Sequence, residues 1–456
     1  MCGTGGERQL KQLLKNGLVL HDAHSPPVRE NVLVDGERIA GFTREEAVPG
    51  YTQVDLSNRV LMPGFVQTHV HFCQVLLRGL ADDMALLDWL RTRIWPLEAA
   101  HDEESTYLSA MLAGMELLAG GCTTACIMES VRHADAAARA VEELGLRAVF
   151  GKVMMDHTDT PLELGGMPAS FIETTKDTVD ASLGLLKRWH GAANGRISYA
   201  FMPRGILTTS EELLCQLGGL SKEYGVLVHT HACETWPESR LVEQRRGLTE
   251  IKYLNRLGLA NERLLLAHCV CVDDEDVAIL ADKGVKVASC PLANLKLASG
   301  VAPLQRLADA GVTLSLGSDG APCNNTLDMF CEMRFASLLQ KGTLHEPTAL
   351  PAAQTFEIAT LGGAKALGME GDVGTLAAGK KADITVLDWE QPQTAPQKPG
   401  VAGLVYAGGA HMVTDTMVDG RFVYRDRRHV FADAGAVRRR AEQALEKLLA
   451  RFERHP

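Results

Sequence analysis

No stretch of this chain approaches the roughly 20 consecutive apolar residues that a membrane-spanning helix requires. Its opening stretch, Met1 to Lys15, is polar and lacks the apolar segment of a secretory signal. Positive charge is scarce: 46 Lys and Arg stand against 57 Asp and Glu, a formal net charge of −11. That balance argues against nucleic acid or an anionic membrane as a partner, since both need a basic face. Eleven cysteines are too dilute in 456 residues for a disulfide scaffold, a device of short secreted chains. Long internal repeats and low-complexity tracts are missing too. These absences leave an expected cytoplasmic, globular protein with reduced thiols, acting on a small neutral or cationic molecule.

What is present is ordinary globular material, 46% hydrophobic and 23% charged, in a chain long enough for one large domain and a smaller one. Short β-rich runs punctuated by Gly and Asp fill residues 16–62 (Gly17 to His21, Val32 to Asp35, Arg38 to Gly41, Val60 to Met62). The far end has the same texture: Ala382 to Leu387, Met412 to Val418, and Arg421 to Tyr424 after Asp419-Gly420. Two β-rich flanks around one long middle predict a small β-sandwich domain assembled from both chain ends, residues 1–62 and 380–432. A charged, exposed helix is expected to follow over 433–456.

The middle, 63–379 with its lead-in, offers eight apolar strands: Val60 to His71, Cys122 to Met128, Ala148 to Asp156, Ile197 to Gly205, Val226 to Glu234, Leu264 to Val270, Val285 to Pro291 and Val312 to Gly320. Amphipathic stretches such as Ser105 to Leu118 and Glu211 to Glu223 separate them. Continuous apolar strands alternating with helices mean a parallel sheet covered on both faces. Eight such units predict an α/β fold of the (β/α)8 TIM-like barrel type, whose active site lies at the C-terminal strand ends.

Polar residues fall where that fold would use them. The first strand ends in Thr68-His69-Val70-His71, and residues two apart on a strand point the same way. The fifth ends in His229-Thr230-His231-Ala232-Cys233-Glu234, the sixth in Ala267-His268-Cys269, the eighth in Ser318-Asp319-Gly320. His69, His71, His231 and Asp319 would supply three nitrogens and one oxygen to a Zn2+ ion with a position left for water. Zinc brings the pKa of such a water to about 7. Glu234, three residues past His231, is placed to carry a proton from that water to a ring, His268 to polarise the developing tetrahedral centre, and Asp319 to ligate or accept the second proton.

At these residues the chain resembles the amidohydrolase superfamily, in its branch of deaminases and chlorohydrolases. The resemblance covers almost the whole chain. It is carried by Pro63-Gly64-Phe65-Val66 leading into His69-Val70-His71, by Leu76-Leu77-Arg78-Gly79-Leu80-Ala81-Asp82-Asp83, by Trp89-Leu90 and by Ile94-Trp95-Pro96. Further on it is carried by His231-Ala232-Cys233-Glu234, Ala267-His268-Cys269-Val270, Asn294-Leu295-Lys296-Leu297, Ser318-Asp319-Gly320-Ala321-Pro322-Cys323-Asn324-Asn325, Leu327-Asp328-Met329-Phe330 and Gly379-Lys380-Lys381-Ala382-Asp383. It implies one metal per subunit, Zn2+ or alternatively Fe2+, with His69, His71, His231 and Asp319 as ligands and Glu234 and His268 as catalytic partners. Binuclear relatives carry a carboxylated Lys on the fourth strand, and Ala200-Phe201-Met202-Pro203-Arg204 has none.

The resemblance further implies hydrolytic loss of ammonia from an aminated nitrogen heterocycle, and a homodimer or larger homo-oligomer. The stretch from Leu77 to Asp83, Trp89 and Asn324-Asn325 look most like deaminases of adenosine derivatives. Gln74 and Arg204 look instead like guanine deaminases, and Gln74 also like s-triazine hydrolases. Trp89 and Trp95 can cover a flat ring or pack into the core, and an Arg at 204 can donate to a ring carbonyl or form a barrel-end ion pair. Ala293 and Ser318 depart from the Ser and Thr common at those positions. A non-catalytic assembly protein on this fold is disfavoured, because every expected metal and proton-transfer position is filled.

Overall fold

The computed structural model describes residues 10–157 and 167–454; of the polar opening stretch, residues 1–9 lie outside that range. Eight parallel strand positions follow one another in chain order: Phe65–His71, Cys122–Glu129, Arg147–Met154, Ile197–Tyr199, Val228–Ala232, Leu264–His268, Lys286–Ser289 and Thr313–Leu316. Two of them resume after a break, the fourth as Met202–Pro203 and the eighth as Asp319–Gly320. The eighth pairs with the first (Leu316 with Gln67, Asp319 with Val70). A single parallel bridge, Phe201 to Val228, joins the fourth position to the fifth, so the ring returns on itself. The first three strands are buried along their whole length, as expected where helices cover one face and side chains fill the other. Helices Glu103–Ala119, Ala134–Leu144, Thr175–Trp189 and Glu211–Tyr224 lie between successive strands. The first of these starts at a reciprocal cap between Asp102 and Ser105.

The expected first strand, Val60 to His71, is in fact two. Arg59–Pro63 pairs antiparallel with Ile384–Asp388 in a sheet at the chain ends, and Phe65–His71 opens the parallel ring. Gly64 lies between them, its N–H donating to Asp383 O at 3.2 Å. A Cβ there would come within 2.2 Å of the Thr123 side chain, so only glycine allows the chain to pass.

Two further sheets follow, the first from the N-terminal end alone and the second from both chain ends. One has the order Arg38–Thr43, Asn31–Asp35, Lys11–Lys15, Thr52–Asp55. The other runs Arg428–His429, Arg421–Arg425, Val413–Val418, Ile384–Asp388, Arg59–Pro63, Leu18–Val19, Val28–Arg29. Leu14, Val32 and Ile39 from the first share an apolar cluster with Leu61, Ile384 and Met417 from the second. Lys11–Lys15 corrects the reading of that stretch as merely polar, because its two central residues, Leu13 and Leu14, are buried within it.

The C-terminal helix, Ala434–Arg454, is likewise not simply exposed. Val437, Ala441, Ala444 and Leu448 recur at helical spacing and are buried against helix Glu103–Ala119. Among the described residues, no helix is long and apolar enough to cross a membrane.

Candidate active site

The C-terminal ends of the strands bring the expected side chains together. His69, His71, His231 and Asp319 each offer one ligand atom, and these four atoms lie within 4.8 Å of one another. His71 Nε2 is 3.2 Å from His231 Nε2 and 3.2 Å from Asp319 Oδ1, and His69 Nε2 is 3.3 Å from the same oxygen. Gly317 makes this approach possible, since a Cβ there would lie 2.6 Å from His69 O. Asp319, opening the resumed part of the eighth strand, and His268, closing the sixth, lie in the left-handed region with φ of 60° and 74°. Such conformations cost about 1–3 kcal/mol each and cluster where function holds them.

The donor set can be tested for its fit to a cation. His71 Nδ1 is 2.9 Å from Met128 O, and His231 Nδ1 is 2.5 Å from Arg204 O. A carbonyl only accepts, so each ring places its proton on Nδ1 and leaves Nε2 bare. Two lone pairs then face each other across 3.2 Å beside an Asp319 carboxylate oxygen. His69 Nε2 is buried with no hydrogen-bond partner among the described residues. Burial holds His69 down to about 4 and pushes His231 well below the usual range, so both rings are neutral at pH 7. Three imidazole nitrogens and a carboxylate oxygen, all aimed at one point, suit a divalent metal such as zinc.

Glu234 and His268 adjoin this point. His268 Nε2 is 3.6 Å from Glu234 Oε2, and its Nδ1 is 2.9 Å from Asn294 Oδ1. His268 Nε2 is also buried without a hydrogen-bond partner among the described residues. Burial, then the charges of Asp319 and Glu250, push Glu234 well above the usual carboxylate range. A carboxyl so shifted favours its protonated form more than a free carboxyl does.

The remaining expected residues line the adjoining pocket, with Gln74, Trp89, Trp95 and Arg204 all in its wall. Glu98, on helix Trp95–Ala99, organises two of them: Arg204 meets it through two nitrogens at 2.7 and 3.3 Å, and Gln74 Nε2 donates to it at 2.7 Å. Both alternatives for Arg204 therefore have a basis here, because it forms a buried ion pair and lines the pocket. Gln74 Oε1 has no partner among the described residues. Leu86, Leu87, Trp89 and Leu90 also line the pocket, whose cavity of about 50 Å³ is small beside the roughly 300–1,000 Å³ typical of ligand pockets. A π-helical turn at Leu90–Ile94 adjoins it, a form found often at functional sites.

Sequence reading missed Glu98, Asn294, His229 and Glu238. Glu98 lies in a helix and carries no strand-end signal; Glu238, also in the pocket wall, lies one helical turn past Glu234. His229 carried the signal already used for His69 and His71, two histidines two apart on one strand. Lys152 is paired with Glu173 and Thr178 away from the cluster, in keeping with a structural role.

Comparison with known proteins agrees with this geometry. The model of the Amidohydrolase family matches residues 60–423. A 5'-deoxyadenosine deaminase of Methanothermobacter thermautotrophicus is 40% identical over 400 residues, 87% of this chain and 90% of the relative. A 5-methylthioadenosine/S-adenosylhomocysteine deaminase of Moorella thermoacetica is 40% identical over 372 residues, covering 82% of this chain and 83% of the relative. The solved structure of an adenosine deaminase from Xanthomonas campestris with bound zinc superposes with a TM-score of 0.89 at 32% identity, over 97% of this chain and 99% of that one. These likenesses imply the TIM-barrel fold expected from the strand pattern. On the family match, and on relatives of this identity and coverage, the chain belongs to the amidohydrolase family.

Proposed function

We propose that the protein is a metal-dependent hydrolytic deaminase that releases ammonia from an adenosine derivative: 5'-deoxyadenosine, 5'-methylthioadenosine or S-adenosylhomocysteine. The observation that carries the reading is the convergence of four donor atoms on one point, beside a buried carboxyl raised in pKa. The names of the 40%-identical relatives direct it to this substrate class. We assign residues 63–379 to the catalytic barrel, 1–62 and 380–432 to a small β-sandwich, and 433–456 to a terminal helix.

In this reading His69, His71, His231 and Asp319 hold one Zn2+ or Fe2+ ion per subunit. Such an ion supplies Lewis acidity and brings the pKa of water to about 7. Water adds to the ring carbon bearing the amino group, forming the C–O bond. Glu234 takes one proton from it and delivers it to the ring nitrogen. Asp319 accepts the second, which passes to the leaving amine as the C–N bond breaks and ammonia departs. His268, held at Nδ1 by Asn294, directs Nε2 toward the developing tetrahedral centre and polarises it as the doubly protonated ring. Trp89 covers the ring, and Arg204 and Gln74, fixed on Glu98, meet its edge.

A guanine- or pterin-type deaminase is the second reading, favoured by the unpartnered Gln74 Oε1 beside Arg204 in the pocket wall. An ammonia-release screen of the zinc-loaded protein over purines, nucleosides, pterins and triazines separates the two. Turnover of the three adenosine derivatives is expected. Turnover of guanine with silence on all three would replace the first reading by the second.

A further inference from the structure

His71 and His231 have their tautomers set directly by main-chain carbonyls, but His69 does not. Its Nδ1 meets another ring, His229 Nε2, at 2.8 Å. His229 is the second residue of strand Val228–Ala232 and is fully buried, as is His69. On its other side His229 Nδ1 lies 2.9 Å from Leu265 O, on the neighbouring strand.

We propose that His229 is a positioning residue, the middle link of a two-ring relay through which the Leu265 carbonyl fixes the metal-facing nitrogen of His69. The carbonyl can only accept, so the His229 proton sits on Nδ1 and Nε2 is left as an acceptor. At 2.8 Å from that acceptor, His69 Nδ1 carries the donated proton. His69 Nε2 is thereby left bare, 3.3 Å from Asp319 Oδ1. Reversing the relay would turn a bare Nδ1 toward a buried carbonyl, leaving both without a hydrogen. The rings of His69 and His229 meet edge to face, centroids 4.9 Å apart at 75°, so the contact is directional as well as close. Partners of this kind orient metal-binding imidazoles, and their loss lowers metal affinity about 10- to 100-fold.

The inference rests on the reading that these donors hold a metal, and its test separates the two ideas. His229→Leu keeps an apolar body and removes the acceptor; His229→Gln places an amide oxygen where Nε2 stood. Zinc content and the rate of zinc loss to a chelator are measured for the full-length wild type and both variants, with circular dichroism to verify folding. His229→Leu is expected to lose zinc at least tenfold faster, and His229→Gln to recover most of the difference. Imidazole 15N shifts of metal-free wild type should report His69 as the Nδ1–H tautomer. Equal zinc retention in wild type and His229→Leu, equal loss in Leu and Gln, or an Nε2–H His69 would each overturn the relay. If wild type takes up no zinc, the metal reading fails while the 15N shifts still decide the relay. If His229→Leu does not fold, the 15N shifts and the Gln variant decide it.

Discussion

Two buried clusters of polar, ionisable side chains sit at opposite ends of the barrel strands, and they are built on opposite principles. At the N-terminal end Arg147 opens the third strand and meets Asp383 through two nitrogens at 2.9 and 3.0 Å. It also meets Asp419, whose own N–H donates to Asp383 at 2.9 Å. The three side chains are 2–9% exposed and their charges are paired, which ties the barrel to the end sheets. At the C-terminal end the histidine cluster is as deeply buried, yet His69 Nε2 and His268 Nε2 have no hydrogen-bond partner among the described residues. Burying a polar group without a partner is costly, and native interiors seldom leave one so. A satisfied cluster holds a fold together; an unsatisfied one, with its atoms aimed at one point, is the arrangement that suits a cation.

That contrast can be broken from either end. The largest effect is expected at the open end. His231→Ala should abolish both zinc retention and ammonia release, while Glu234→Gln keeps the metal and loses about 10²- to 10⁴-fold in turnover. Metal analysis alongside the ammonia assay checks both, and full activity in Glu234→Gln would remove it as the proton carrier. At the closed end Arg147→Met strands two carboxylates together, and unfolding by denaturant should come easier by about 3–5 kcal/mol. Zinc content per folded molecule should stay at the wild-type level, and parallel loss of metal would mean that the two clusters are not independent.

The smallest effect concerns His101, buried near Glu98 and held down to about 4 by that burial. Because the folded chain keeps this ring neutral, its contribution to stability is complete above pH 6.5 and is lost as pH falls from there toward 4. His101→Gln in metal-free protein should therefore flatten the acid limb of stability, by about 2 kcal/mol at pH 5. Equal acid sensitivity in variant and wild type would place the responsible proton elsewhere.

The ring of strands and the convergence of His69, His71, His231 and Asp319 were legible in sequence for one reason. A parallel strand buried on both sides reads as an unbroken apolar run, and an ionisable residue at its end is conspicuous. The same uniformity hid the boundary at Gly64, where one buried strand hands over to another with no polar punctuation. Lys11–Lys15 escaped because two leucines among lysines and a glutamine look like surface until Asn31–Asp35 pairs with them. Glu98 and Asn294 belong to the site through contacts between elements, Glu98 with Arg204 and Asn294 with His268. No local pattern encodes such contacts.

The strand Arg59–Pro63 takes one of its neighbours from Ile384–Asp388, more than 300 residues downstream. During synthesis its apolar edge emerges early and waits through the making of the entire ring before that neighbour exists. Unpaired edges of this kind are where growing chains stick to one another. Truncation before residue 384 is therefore the change most prone to turn this protein from a folding problem into an aggregation problem, with His69, His71, His231 and Asp319 all still encoded.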